Sequence, residues 1–202
     1  MNRDSGLDKA VSASTKAIED EIVALSSATQ GIDDELAAAL TILNSTTGKI
    51  VVSGIGKPGH IGKKIAATLA STGSPAFFIH STEALHGDSG MVRPGDTALL
   101  MSNSGTTAEV CAFATMLKEW GVPIVAMTRS AQSPLGQLAD ATIELEIPRE
   151  ADPLGLAPTS STTLKLVLGD ALAVGLMSLS GFTAEDFAKR HPGGALGAQL
   201  KG

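Results

Sequence analysis

A single cysteine, Cys111, stands in 202 residues. No intramolecular disulfide can form, which fits a reducing compartment. Cys111 falls on the apolar face of an expected helix and reads as a small core residue. No run of lysines or arginines occurs, and the formal net charge is −6, so the clustered basic footprint of a nucleic-acid surface is missing. Met1 to Thr15 is polar, without the apolar core of a signal peptide, and no apolar run suggests a bilayer span. The expectation is a cytoplasmic chain that meets neither membrane nor nucleic acid. The four histidines show no His-x-x-x-His spacing and no Cys-x-x-Cys is present, so no metal site is expected.

What the chain does have is enough apolar sequence for one sizeable core: 43% hydrophobic residues, 18% charged, and 22 glycines. This points to a single domain over 1–202. Val11 to Ser27 and Ile32 to Leu43 carry apolar residues at helical spacing (Ile18, Ile22, Leu25; Leu36, Leu40, Leu43), which predicts a helical hairpin within residues 1–47. Over 48–202, five β-rich runs follow: Ile50–Val52, Ala76–Ile79, Ala98–Met101, Ile124–Met127 and Thr142–Ile147. Helical segments at Ile61–Ser71, Glu109–Trp120 and Leu135–Ala139 alternate with them. Alternation of this kind predicts a five-stranded parallel sheet between helical layers, a Rossmann-like three-layer α-β-α sandwich whose ligand loops lie at the carboxyl ends of the strands. A proline-rich connection, Pro148 to Pro158, leads to a long apolar helix, Thr159 to Leu179, with Leu164, Val167, Leu168, Ala171, Leu172 and Leu176 on its expected buried face. Ala184 to Arg190 is a final helical stretch.

Two strand-loop-helix turns carry the chemistry. Ser53-Gly-Ile-Gly-Lys-Pro-Gly-His60 follows the first strand, and Ser102-Asn-Ser-Gly-Thr-Thr-Ala-Glu109 follows the third. Turns of this composition present unpaired N–H groups at the positive end of a helix dipole, which suits phosphate. Gly54-x-Gly56-x-x-Gly59 is formally a dinucleotide fingerprint, but the second strand ends in His80-Ser81-Thr82 rather than in the acid that would hold a ribose. Lys57 also adds a full charge that a backbone pyrophosphate cradle does not need. The second turn offers four hydroxyls and the Asn103 amide in six residues. One hydroxyl would suffice as a helix cap; three phosphate oxygens account for the rest. Leu85 to Val92, with His86 and Asp88, is a long loop where functional residues concentrate. Glu150, Asp152 and the hydroxyls up to Thr162 form another connection more elaborate than a link requires. Read in isolation, Glu150 is a surface charge, Asp170 a hydrogen-bonded structural acid and His191-Pro-Gly-Gly194 a helix stop.

Gly54-Ile-Gly-Lys-Pro-Gly-His-Ile-Gly62, Ala67–Gly73, Glu83-Ala-Leu-His-Gly-Asp88, Ser102-Asn-Ser-Gly105, Pro153–Thr162, Gly181–Ala188 and His191-Pro-Gly-Gly-Ala-Leu-Gly197 together resemble the D-arabinose 5-phosphate isomerases of the sugar isomerase (SIS) domain family. The resemblance runs from about Ile50 to Leu200. It implies a cofactor-free aldose-ketose isomerase interconverting D-ribulose 5-phosphate and D-arabinose 5-phosphate, the latter supplying synthesis of the acid sugar Kdo, and a tetrameric assembly of sandwich domains. Carried over by position, Lys57, Glu109, Glu150 and His191 match proposed catalytic residues and His86 a further active-site histidine. Gly56, Ser102, Asn103, Ser104 and Thr107 match the phosphate-binding residues. Some of the histidines are expected from a neighbouring subunit.

Three departures from the family stand out. Pro58 replaces a common serine; Asp152 replaces a frequent cysteine, and a second carboxylate beside Glu150 would raise one pKa by like-charge repulsion. Longer relatives continue into CBS domains, where this chain stops at Gly202, so regulation through such domains is not expected of it. The chemistry implied needs a base that moves a proton between adjacent carbons, for which Glu150 and Glu109 are both candidates. It also needs an electrophile for the enediolate, Lys57 or a histidine, and a group to open the sugar ring, His86 or His191. Two rival readings stay open: a non-catalytic sugar-phosphate sensor on the same fold, and an isomerase of another sugar phosphate.

Overall fold

The computed structural model describes residues 5–193. Helices α1 (Ser5–Ala28) and α2 (Asp33–Asn44) form the hairpin. Helix α1 begins six residues before the expected Val11. The rest alternates: β1 (Ile50–Gly54), α3 (Gly56–Ser71), β2 (Ala76–His80), α4 (Ser81–Ala84), a 3₁₀ turn at Asp88–Met91, β3 (Thr97–Met101), α5 (Ala108–Glu119), β4 (Ile124–Thr128), α6 (Pro134–Leu138), β5 (Ala141–Glu144), α7 (Ser160–Ser180) and α8 (Ala184–Arg190). The five strands form one parallel sheet in the order β2-β1-β3-β4-β5.

Both faces of the sheet are covered because the strands are apolar on both sides. Val52, Leu99, Met101, Val125, Met127 and Ile143 meet Ala39 and Leu43 of α2, Ile65 and Leu69 of α3, and Leu164, Leu168 and Leu172 of α7. Val51, Ala98, Leu100, Ile124 and Ala126 on the other face meet Val110, Phe113, Ala114 and Leu117 of α5 and Leu135 of α6. Continuous burial of β1, β3 and β4 is what a parallel sheet sandwiched by helices requires.

Further details differ from the sequence expectation. Strand β5 ends at Glu144 rather than running on to Ile147. Helix α3 begins at Gly56, not Ile61, so Lys57 and Pro58 occupy its first turn, where a missing N–H costs no helical hydrogen bond. The glycines there serve packing: a Cβ on Gly59 would sit 2.9 Å from the Gly54 carbonyl oxygen, so the start of α3 can lie against the end of β1 only without side chains. Helix α7 is long and apolar enough to cross a membrane, contrary to the expectation that no segment qualifies. It packs instead against α1, α2 and α3, and Lys165 lies fully buried within it. On α7, Val167 is 39% exposed rather than buried, because the inward stripe runs through Leu164, Lys165, Leu168, Leu172 and Leu176.

Candidate active site

Gly54 pairs in register with His80 on one side and Met101 on the other, and Met101 with Met127. The turns after β1, β2, β3 and β4 therefore leave the sheet side by side. Between β1 and β3 the chain order reverses, and the crevice at such a switch point is where doubly wound α/β folds hold ligands. Lys57 enters this edge on the first turn of α3, and Ser102 to Thr107 enters it between β3 and α5.

The Ser102–Thr107 loop is internally bonded. Ser102 Oγ lies 2.8 Å from Thr107 Oγ1 and accepts the Gly105 N–H at 3.2 Å. Ser104 Oγ accepts from both the N–H and the hydroxyl of Thr106. Gly105 has φ +69°, and a Cβ there would run into Ser133 and Thr128, so only glycine lets the loop close against α6. The Cys111 thiol donates to the Gly105 carbonyl at 3.3 Å, and burial pushes that thiol up, leaving it protonated and structural. Thr107 precedes α5 without capping it through its side chain. The first N–H groups of α5 thus open toward hydroxyls that are not consumed as caps, as an anion site needs.

Glu150 sits in the connection from β5 to α7. Its Oε2 accepts from the Thr159 N–H (2.8 Å), the Thr159 hydroxyl (3.3 Å) and the Ser161 N–H (3.1 Å). The carboxylate therefore caps the start of α7 through one oxygen, while Oε1 carries none of these three bonds. Burial pulls its pKa upward, but the hydrogen bonds from Ser161 and Thr159 outweigh it, and the net shift is below the usual carboxylate range. The expected rise from Asp152 does not occur. Asp152 turns into its own loop, accepting from the N–H groups of Leu154 (2.9 Å), Leu156 (2.7 Å) and Ala157 (2.8 Å). Desolvation pulls its pKa up, but those backbone donors together outweigh it and lower the pKa here too. Each acid is satisfied by N–H groups, so neither has to absorb the other's charge.

Lys165, which the sequence patterns did not single out, joins these parts. It has no exposed surface, and its ammonium donates to Asn103 Oδ1 and to the Ser161 carbonyl, each at 3.0 Å. Burial lowers its pKa to about 8; the Glu150 charge opposes that fall and the Arg129 charge adds to it. The readable signal was a lysine inside the apolar stripe of α7, one position after Leu164. Arg129 also closes the loop through its backbone, its N–H donating to the Asn103 carbonyl at 2.9 Å.

The remaining candidates are distributed unevenly. Glu109 is exposed on the first turn of α5, and Lys57 is exposed on that of α3. His86 is exposed just after α4, at the same edge of the sheet. Asp170 is an ion-pair partner of Lys64 at the surface, in keeping with a structural acid. His191 lies elsewhere. Helix α7 starts at Ser160, beside the Glu150 carboxylate, and its C-cap Gly181, in the left-handed conformation, is about 30 Å away at 1.5 Å per residue. Phe182 beyond it packs on Gly73, near the amino ends of the strands. The seven residues of α8 are too few to return the chain across that height. His191 ends α8 stacked on Phe187 at 3.9 Å, with Nδ1 2.9 Å from the Phe187 carbonyl oxygen. The Gly194–Gly197 part of its motif lies outside the described residues. Among the described residues no three His, Cys, Asp or Glu side chains stand together as a metal site.

The strand order, the switch-point crevice and the hydroxyl loop define a doubly wound α/β domain with its candidate ligand loops at one edge of its sheet. Residues 42–175 match the SIS domain family, and the chain belongs to it. It is 50% identical over 200 residues to the arabinose 5-phosphate isomerase KdsD of Pseudomonas aeruginosa, covering 99% of this chain and 61% of that one. To the KdsD of Escherichia coli K12 it is 56% identical over 153 residues, 76% of this chain and 47% of that one. It thus spans about half to three-fifths of the length of these curated relatives. Among solved structures, E. coli CFT073 c3406 in complex with arabinose 5-phosphate superposes with TM-score 0.87 at 42% identity, over 95% of this chain and all of that one.

Proposed function

We propose that this chain is an aldose-ketose isomerase that interconverts D-ribulose 5-phosphate and D-arabinose 5-phosphate, in the cytoplasm and on the way to Kdo. The observation that carries the reading is the chain of hydrogen bonds that ties the Ser102–Thr107 loop at Asn103, through the buried Lys165 and Ser161, to Glu150. It sets an anion-binding loop and an anchored carboxylate on one edge of the sheet, as a substrate with phosphate at one end and a carbonyl at the other requires. The names of the relatives, and the arabinose 5-phosphate bound to c3406, support the same substrate class.

In this reading the hydroxyls of Ser102, Ser104 and Thr107, the Asn103 amide and the backbone at Gly56 receive the phosphate. Binding energy from that remote group holds the sugar carbons against the acid. Glu150, held by Oε2 and ionised at neutral pH, uses Oε1 to take a proton from the carbon beside the carbonyl and return it to the neighbouring carbon. Glu109, without such an anchor, is the second candidate. The Lys57 ammonium offsets charge on the enediolate oxygens. His86 and His191 open the sugar ring, and the placement of His191 at the opposite edge supports its delivery by another copy of the chain. The whole of 1–202 acts as one domain in a homo-oligomer, a tetramer in this reading, and turnover needs no added cofactor or metal.

The test is direct: incubate the protein with ribulose 5-phosphate and identify the product by NMR. Accumulation of arabinose 5-phosphate is expected. Binding without turnover would turn the reading into that of a sensor, and a different product would move it to another sugar phosphate.

A further inference from the structure

Lys165 is a fully buried ammonium that no proton-transfer step above uses. Burying such a charge is costly unless it is hydrogen-bonded and paired, so a lysine held there needs a reason that an apolar residue could not supply. Two of its donors have fixed targets, Asn103 Oδ1 and the Ser161 carbonyl. An ammonium can only donate, so the atom of the Asn103 amide facing it is the oxygen, and the NH2 is turned the other way. The Asn103 carbonyl is tied as well, by the Arg129 N–H. Asn103 is therefore restrained at both ends within a loop whose neighbours on either side are the hydroxyls of Ser102 and Ser104.

Resting on the reading of Ser102–Thr107 as an anion loop, we propose that Lys165 is a positioning residue for dianion binding. It fixes the Asn103 amide as a pure donor toward the ligand, and it locks the loop to the Glu150 arm through Ser161. Its charge, set just beneath the loop, also offsets that of the bound dianion.

The ionisable groups facing the ammonium are Glu150, from the connection before α7, and Arg129, from the end of β4. The other elements packed on α7 direct their charges elsewhere: Glu21 of α1 to the Thr163 hydroxyl, Lys64 of α3 to Asp170, and Glu35 of α2 to the Glu144 N–H. Loss of the Lys165 proton therefore removes the charge beneath this loop and leaves Arg129 beside it, with Lys57 exposed on the first turn of α3 at the same edge. Affinity for a dianion should fall as pH rises through about 8.

The experiment is calorimetric titration of the full chain with sulfate, a dianion throughout, and with arabinose 5-phosphate, between pH 7 and 9.5. Wild type should lose about tenfold in affinity for both ligands across that range, one charge-dependent contact converted at 1.4 kcal/mol per decade. Lys165→Met should bind about tenfold more weakly at pH 7, with little further change as pH rises. Lys165→Gln, which keeps a donor for Asn103 without the charge, should fall between them at pH 7 and also be flat. A merely structural lysine would alter melting temperature without flattening the pH profile. Wild-type affinity and pH dependence in Lys165→Met would overturn the proposal, as would a flat profile in wild type. If the Met variant does not fold, Lys165→Gln and the wild-type profile decide in the same way. Turnover is scored separately: sulfate binding with the expected profile but no isomerisation would sink the isomerase reading and leave Lys165 standing, and the converse would do the opposite.

Discussion

Replacing Glu150 by glutamine tests the proposed base apart from the cap, because Oε2 takes the three hydrogen bonds at the start of α7. Glutamine can keep the carbonyl oxygen where Oε2 accepts from Thr159 and Ser161, but the bonds lose their charge. Hydrogen bonds to a charged acceptor contribute about 1.5–3 kcal/mol against about 0.5–1.5 for neutral ones. Partial solvent exposure of Glu150 discounts the difference, leaving a loss of about 1–2 kcal/mol. At about 2–4 °C per kcal/mol for a domain of this size, the melting temperature should fall by about 2–8 °C with the fold retained. Proton transfer should suffer far more, by about 10²–10⁴-fold, the usual contribution of a general base. Wild type should wash solvent deuterium into the carbon beside the sugar carbonyl, whereas the variant should bind arabinose 5-phosphate and incorporate almost none. The pH dependence has a definite sign. The pKa of Glu150 is depressed by folding, so its stabilisation is complete above the unfolded carboxylate value of about 4.3 and is lost as pH falls through the folded value. The difference in melting temperature between wild type and Glu150→Gln should therefore shrink below about pH 4. Deuterium exchange in the variant at the wild-type rate would remove Glu150 as the base and pass the role to Glu109.

Lys57→Ala should lower kcat/KM by about 10²–10³, as removal of one group that stabilises an oxyanion does; unchanged steady-state parameters would make Lys57 a surface charge. Ile18 and Ile22 of α1 are 63% and 61% exposed, so Ile18→Glu with Ile22→Glu should leave the single chain folded but shift it to a smaller species by light scattering and cost activity. An unchanged assembly would show that this face lies outside the interface. Gly59→Ala sets a Cβ 2.9 Å from the backbone oxygen of Gly54 and should cost about 1–3 kcal/mol by overpacking, read as a lower melting temperature. An unaltered melting curve would mean that α3 can move away from β1 at no cost.

The strands, the alternation of helices and the two polar strand-to-helix turns were legible in the sequence because each rests on local rules: β-rich runs, 3.6-residue apolar spacing, and hydroxyls in excess of a cap. Motif residues likewise marked Lys57, the Ser102–Thr107 loop and Glu150 as candidates, since their order along the chain is what carries the family resemblance. Local pattern could not say that α3 starts at Gly56, because the fit of Gly59 onto Gly54 is a contact between two elements. Nor could it give the sign of the Glu150 shift. Proximity to Asp152 in sequence suggested repulsion, whereas the folded loop hands each carboxylate its own N–H donors. Lys165 and Asn103 are 62 positions apart, and only the packing of α7 beside β3 and β4 turns that lysine from an oddity in an apolar helix into the support of the loop. The same helix carries His191 to the far edge of the sheet, because its length is fixed by the residues within it while the direction it runs is fixed by the core it covers.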